Sequence, residues 1–195
     1  MNSRKREGEL TKLRIAEKAK ELFIQKGYIA TSMEEITTAS ETSKGNIYYH
    51  FKNKENLFLY ILERDYEKWK DDWDAKKDSY PSVTEKLYGI AEHLAQDFSN
   101  PITKAAEEFS GTQLAKEDVF EKILEMSQHP YKVFRELLRD GIREGEIREG
   151  NADDMADVFR AMMSGLGVVY YQKEIDELFR LYRYSVEVFL KGVAK

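Results

Sequence analysis

The chain has 195 residues and carries 31 Lys/Arg against 36 Asp/Glu, a formal net charge of −5, which is long enough for one large helical domain or a small module fused to a larger one. It has no cysteine, which excludes disulfides, thiolate metal sites and cysteine nucleophiles. The first residues, MNSRKREGELTKL, lack the apolar run of a signal peptide, and the longest uncharged stretch, residues 161–172, is too short to span a bilayer; a cytoplasmic protein with no membrane partner is expected.

Proline occurs only at Pro81, Pro101 and Pro130, and alternating β-branched runs are missing, so the fold class is all-α. Leu13, Ala16, Ala19, Leu22 and Phe23 recur at helical spacing and predict a first helix over Leu10 to Lys26, stopped by Gly27. Ser32 with Glu35 three residues on forms a capping box for a short second helix. Ser43 caps a third running to about Phe51, and Asn53 a fourth beginning at Lys54 and reaching about Asp72. Pro81-Ser82 opens a fifth helix and Asn100-Pro101 separates it from a sixth. Lys116 to Gly145 reads as one long helix bent or broken at Pro130. Met155, Val158, Phe159, Met162, Met163, Leu166 and Val169 stripe an eighth helix, and Leu178, Phe179, Tyr182, Val186, Phe189, Leu190 and Val193 a ninth.

Two short helices about four residues apart, with a longer one in front, outline a helix-turn-helix. Turned at about 100° per residue, the third helix places Ile47 and Phe51 inward and leaves Gly45, Asn46 and Tyr49 facing away, flanked by Lys44, Tyr48 and His50. The free N–H groups and positive dipole end of that helix favour phosphate, Lys44 adds charge, and Gly45 permits close approach to a groove. The charge is also divided. Residues 1–56 hold 11 Lys/Arg and 8 Asp/Glu, a balance of +3, and the remaining 139 hold 20 and 28, a balance of −8. A basic head on an acidic body fits a protein of which only the head meets a polyanion. The competing reading is a helical scaffold whose helix-turn-helix contacts protein. An enzyme is disfavoured: His50, His93 and His129 are scattered, no paired metal-ligand spacing occurs, and Glu92, His93 and Asp97 read as a solvated helix face. Neither a cofactor nor a metal is expected.

The segments Thr31-Ser32-Met33-Glu34-Glu35-Ile36, Ser43-Lys44-Gly45-Asn46-Ile47-Tyr48-Tyr49-His50-Phe51 and Lys54-Glu55-Asn56-Leu57 resemble the N-terminal module of the TetR family of transcriptional repressors, most closely its QacR-like, multidrug-responsive branch. The likeness extends to Trp69 and Trp73 and covers about the first 73 residues. It implies an all-α homodimer, assembled through the last two helices, with a DNA-binding domain over 1–56 and an effector-binding and dimerisation domain over 57–195. By the same match Ser43, Lys44, Gly45, Tyr48, Tyr49, His50 and Lys54 are expected to contact a pseudo-palindromic operator, and Thr31 or Ser32 a phosphate. Where many members have Ala-Gly-Val at the turn, this chain has Ser40-Glu41-Thr42, which puts glutamate at a left-handed position.

Adaptable methionines (Met126, Met162, Met163) and the aromatics Tyr66, Trp69, Tyr131 and Tyr170 suggest a ligand cavity in the body. Asp65, Glu107 or Glu108 would suit a small lipophilic cation stacked on such rings.

Overall fold

Local capping fixes where the N-terminal helices begin. In the computed structural model, which describes residues 3–113, 117–169 and 172–193, α1 covers Ser3–Lys26, α2 Met33–Ala39, α3 Lys44–Phe51 and α4 Lys54–Lys76. Ser32 Oγ accepts from the Glu35 N–H (3.2 Å) and the Glu35 carboxylate accepts from the Ser32 N–H (2.9 Å), completing the capping box of α2. Lys26 and the Ser32 donors hold the Glu35 carboxyl down to about 2. Ser43 Oγ accepts from Asn46 N (3.2 Å), and Asn53 Oδ1 from Asn56 N (2.7 Å). Helix α1 starts seven residues earlier than its apolar stripe, because the charged segment in front of Leu10 is rich in good helix formers.

The remaining helices are α5 (Val83–Asp97), α6 (Thr103–Gln113), α7 (Glu117–Glu144), α8 (Ala152–Val169) and α9 (Ile175–Val193), with a short 3-10 turn at Lys77–Ser79. The start of α5 is capped by Ser82 and again from a distance: the Glu146 carboxylate accepts from the N–H groups of Val83 and Thr84, both at 3.0 Å. Helix α7 runs unbroken through Pro130, so of the bend or break expected there the break does not occur. A proline inside a helix costs about 3 kcal/mol; the burial of Phe134, Leu137 and Leu138 in the following turns, at about 1.5–3 kcal/mol each, outweighs that.

The chain forms two compact units, each drawn from two stretches: Met1–Lys68 with Pro101–Ile123, and Trp69–Asn100 with Leu124–Lys195. In the first, Ile15, Ala19 and Phe23 of α1, Ile36 of α2, Ile47 and Phe51 of α3, and Leu57 and Phe58 of α4 form the core, joined by Ala105 and Phe109 of α6. In the second, α9 packs Leu178, Tyr182, Val186, Phe189 and Leu190 inward, beside Val83, Leu87 and Ile90 of α5, Phe134 and Leu138 of α7, and Phe159 and Met163 of α8.

Three described residues of the first unit have a positive φ, Gly27, Glu41 and Lys52, the last at +61. Glu41 has φ +48, so glutamate does occupy the left-handed turn position between α2 and α3. Gly27, with φ +84, ends α1, and a Cβ there would fall well inside van der Waals contact with the Glu108 carboxylate. Gly27→Ala should therefore lower the unfolding free energy by about 1–2 kcal/mol in urea titration. Gly8→Ala, in the open interior of α1 with nothing near its would-be Cβ, should raise it by about 0.5–1 kcal/mol.

Candidate nucleic-acid interface and effector region

Helix α3 is held from behind and bare in front. Ile47 and Phe51 are buried, while Ser43, Lys44, Gly45, Tyr48 and Tyr49 are exposed, Tyr49 at 82%. His50 is partly covered and meets the Tyr49 ring edge-on at 5.1 Å; burial and the nearby Lys12 lower its pKa, leaving a neutral donor-acceptor ring at neutral pH. Asn46 turns sideways, its Nδ2 donating to Thr42 Oγ1 at 2.9 Å. The exposed set offers hydroxyls, an ammonium and open backbone at one helix start, which is what phosphate oxygens and groove edges require.

Two expected contacts lie elsewhere. Thr31 is buried, its hydroxyl donating to Gly27 O at 2.8 Å, so it shapes the turn after α1. Lys54 is half-buried, and its ammonium donates to Tyr28 O and Thr31 O, both at 2.8 Å; burial lowers its pKa. It caps the carbonyls of the same turn. Ser32 stays partly exposed but its hydroxyl is engaged with Glu35.

The residues expected to hold an effector are divided between the two units. In the first, Asp65 is paired with Lys20 of α1, Tyr66 is half-buried, Glu107 is exposed, and Glu108 lies against Gly27 and accepts from Ile29 N at 3.3 Å. In the second, Trp69 is buried, and Tyr131 is half-buried beneath the Arg160 guanidinium (4.9 Å), with its hydroxyl 3.0 Å from Ser164 Oγ. Met162 is half-buried and Met163 buried. Tyr170 and the side chain of Met126 lie outside the described residues.

Trp69 is already stacked, and its partner is a residue the sequence left on a solvated face. His93 of α5 is buried, with its ring 4.7 Å from that of Trp69 and 6.0 Å from that of Trp73. Its Nε2–H donates to Trp69 O (2.8 Å) and its Nδ1 accepts from the Lys76 ammonium (3.0 Å), an arrangement that suits the neutral ring. Tyr80 continues the stack on the far side of Trp73, at 5.9 Å. The signal for this was Gly89, four residues before His93: a glycine inside a helix marks a close approach, and here the Tyr80 ring lies over it.

Residues 15–61 match the model of the bacterial regulatory proteins of the tetR family, and residues 65–195 that of the QacR-like protein, C-terminal region. The chain belongs to the TetR family. It is 32% identical over 178 residues to the HTH-type transcriptional regulator QacR of Staphylococcus aureus (strain Mu50), spanning 91% of this chain and 95% of that one. Its fold is similar to that of a putative TetR-family transcriptional regulator from Mesorhizobium loti, with a TM-score of 0.81 at 21% identity over 96% of this chain and 98% of that one. It is also similar to a putative transcriptional regulator from Saccharomonospora viridis in complex with choline, with a TM-score of 0.73 at 20% identity over 94% and 97% of the two chains.

A TetR-family chain is thus a helix-turn-helix transcriptional regulator with a QacR-like ligand-binding region, not an enzyme. Regulators of the TetR family bind operators and small-molecule effectors and act as dimers. Among the described residues no helix is long and apolar enough to cross a membrane.

The buried His93 gives this TetR-family chain a pH signature. Burial, followed by lesser effects that include the Lys76 charge, lowers its folded pKa below the ordinary 6.5, so the unfolded chain binds the proton more readily. Stability is therefore complete above about pH 6.5 and falls as pH drops from there through the folded pKa. The wild-type denaturation midpoint should decline across that window, and His93→Gln should flatten this part of the profile. Equal slopes for the two proteins would contradict the assignment.

Proposed function

We propose that the protein is a cytoplasmic repressor that binds a pseudo-palindromic operator as a homodimer and is released by a small lipophilic, cationic effector. The DNA-binding part is residues 1–56, and effector binding and dimerisation belong to 57–195. The observation that carries the DNA reading is the exposed α3 face of Ser43, Lys44, Gly45, Tyr48 and Tyr49 on a helix whose other side is fully buried. The +3 balance of the head and the match of residues 15–61 support it. A scaffold role would not require affinity for a polyanion.

Genomic fragments enriched by the purified protein provide the test. Binding to them should weaken steeply with salt as phosphate contacts release counterions, and Tyr49→Ala should weaken it roughly tenfold with the helical circular-dichroism signal unchanged. Affinity that is flat from low to moderate salt would remove the DNA reading.

The effector reading draws on the acidic body, the match of residues 65–195 to the QacR-like region and the Trp69–His93–Trp73 stack. That stack already carries a cation of its own, with the Lys76 ammonium 3.0 Å from His93 and 6.0 Å from the Trp73 ring centre, so a flat cationic ligand would take the place of Lys76. Quaternary ammonium compounds and cationic dyes should quench tryptophan emission and weaken the operator shift over one concentration range. Release by neutral or anionic compounds alone would leave the repressor and remove the cation.

Dimerisation is assigned to the outward faces of α8 and α9. Phe189, whose ring packs on Phe159 at 4.9 Å, belongs to the core of the chain, and Met162 is half-buried. The exposed apolar residues are instead Val158 and Val168 on α8 and Ile175, Tyr184 and Val188 on α9, with the small residues Ala161 and Gly165 also exposed on α8. Val168→Asp and Val188→Asp should each shift sedimentation toward monomer without lowering helicity, whereas Phe189→Asp should unfold the chain. A wild-type monomer at micromolar concentration would refute the assignment.

A further inference from the structure

Lys44 is the exposed cation at the start of α3, and its ammonium is engaged within the chain. Nζ lies 2.9 Å from Glu34 Oε1 on α2 and 6.0 Å from the centre of the Tyr48 ring. Both members of the pair are open to solvent, at 60% and 70% side-chain exposure. The hydrogen bond raises the lysine pKa and lowers that of the glutamate, so both are charged at neutral pH.

Glu34 does not form the cap of α2; it lies in the first turn, where the helix dipole favours a carboxylate, and its side chain also accepts from its own backbone N–H. The neighbouring Glu35 forms the capping box and takes the Lys26 ion pair, and the inner side of α2 is closed by Ile36. A carboxylate turned outward next to the recognition helix works against binding to a polyanion, and Glu35 already supplies α2 with a first-turn acid.

We propose that Glu34 is a specificity-determining residue of the DNA-binding head, which holds Lys44 back from phosphates and yields it only to a matching base edge. This rests on the reading of α3 as the helix that contacts DNA. Sequence-independent binding is the sum of lysine and arginine contacts to phosphates, each releasing counterions. A free lysine on a four-carbon stem swings to whichever phosphate is nearest, on any sequence. At 2.9 Å from Glu34, far inside the screening length of about 8 Å at physiological salt, the ammonium is largely neutralised as seen by a phosphate. To reach DNA it must leave the carboxylate facing the same polyanion. On a random sequence the exchange of one anionic oxygen for another gains little. At an operator a guanine O6/N7 edge gives Lys44 directional acceptors, and the fit of Tyr48 and Tyr49 fixes the distance. Glu34 therefore lowers the affinity for all DNA, and lowers it most where the sequence is wrong.

The test compares wild type, Glu34→Gln, Lys44→Ala and the double variant by fluorescence anisotropy across a salt series. The duplexes are the genomic fragment most enriched by the wild-type protein and a scrambled duplex of equal length and composition. Glu17→Gln on the exposed side of α1 removes one negative charge elsewhere in the head and controls for net charge. Glu34→Ala serves beside Glu34→Gln, with the denaturation midpoint confirming that both fold. Glu34→Gln should bind the scrambled duplex roughly threefold to tenfold more tightly at low salt, with a log–log salt slope steeper by about 0.9, one added phosphate contact. The enriched fragment should gain less, so the specificity ratio falls. In the Lys44→Ala background the same change should have no further effect.

An equal gain on both duplexes, or the same gain from Glu17→Gln, would reduce Glu34 to one more surface charge and overturn the proposal. A persistent gain without Lys44 would mean that Glu34 repels phosphates directly, which also overturns it while leaving α3 as the reading helix. If Lys44→Ala leaves both affinities and both slopes unchanged while Tyr49→Ala weakens binding, the helix reads DNA without Lys44 and the proposal fails alone. If neither variant matters, the reading of α3 fails with it.

Discussion

Four aromatic rings fix the turn that leads from α1 into α2 and α3. Tyr28, in the segment after α1, packs on Phe23 of α1 (5.7 Å), Phe58 of α4 (5.0 Å) and Phe109 of α6 (4.8 Å), and Phe58 closes the cluster against Phe23 and Phe109. Burying each phenylalanine is worth about 1.5–3 kcal/mol, with about 0.5–1.5 more for each favourable ring pair. The same turn also holds a left-handed Gly27, the half-buried ammonium of Lys54 and the Glu108 carboxylate. Dehydration pushes the Tyr28 phenol up to about 12, so the ring stays neutral. The Lys54 ammonium lies 4.4 Å from its centre while donating to the carbonyls on either side. The polar groups of the turn are thus satisfied by residues far away in sequence, and the position of α2 and α3 follows from them.

What was legible in the sequence was local. Ser32 with Glu35, Ser43, Asn53 and Ser82 cap the helices they were expected to cap, because a cap depends on residues two or three apart. The inward pair Ile47 and Phe51 and the outward Tyr49 follow from helical periodicity alone. The left-handed residue at the turn was legible through the family resemblance, which sets Glu41 where many members have glycine. Fold class and family rest on this short-range information, and so does the proposal that α3 faces DNA.

The less legible features are long-range pairings. Lys54 looks like a free polar residue at the edge of a DNA-reading module, but its ammonium donates to carbonyls of the turn after α1, 23 and 26 residues away. Asp65 looks like a counter-ion for a ligand and instead holds Lys20, 45 residues away. His93 looks solvated because Glu92 and Asp97 flank it, yet one helix can place a charged residue outward and its neighbour inward; the indole rings that take it come from α4. Likewise the compact units are assembled from separated stretches, with α6 grouped with the N-terminal helices, and no window of sequence carries that pairing.

The same long-range pairings constrain how an effector could act. Asp65 and Trp69 are four residues apart on α4, one helical turn. The first is held by an ion pair to α1, and the second by a stack and a backbone hydrogen bond to His93 of α5. A ligand that filled space beside Trp69 equally well in both conformations would shift no equilibrium, however tightly it bound. A ligand that takes over the rings must release His93 from Trp69 O or Lys76 from His93, and it then stabilises a different packing of this turn of α4 over the one described here. Release from DNA follows only to the extent that the second packing is the weaker one for operator, and the operator must oppose the ligand by the same factor. On the proposed reading, Lys76 and His93 therefore do more than complete a core: they are the resident occupants whose displacement makes the ligand distinguish one conformation from the other.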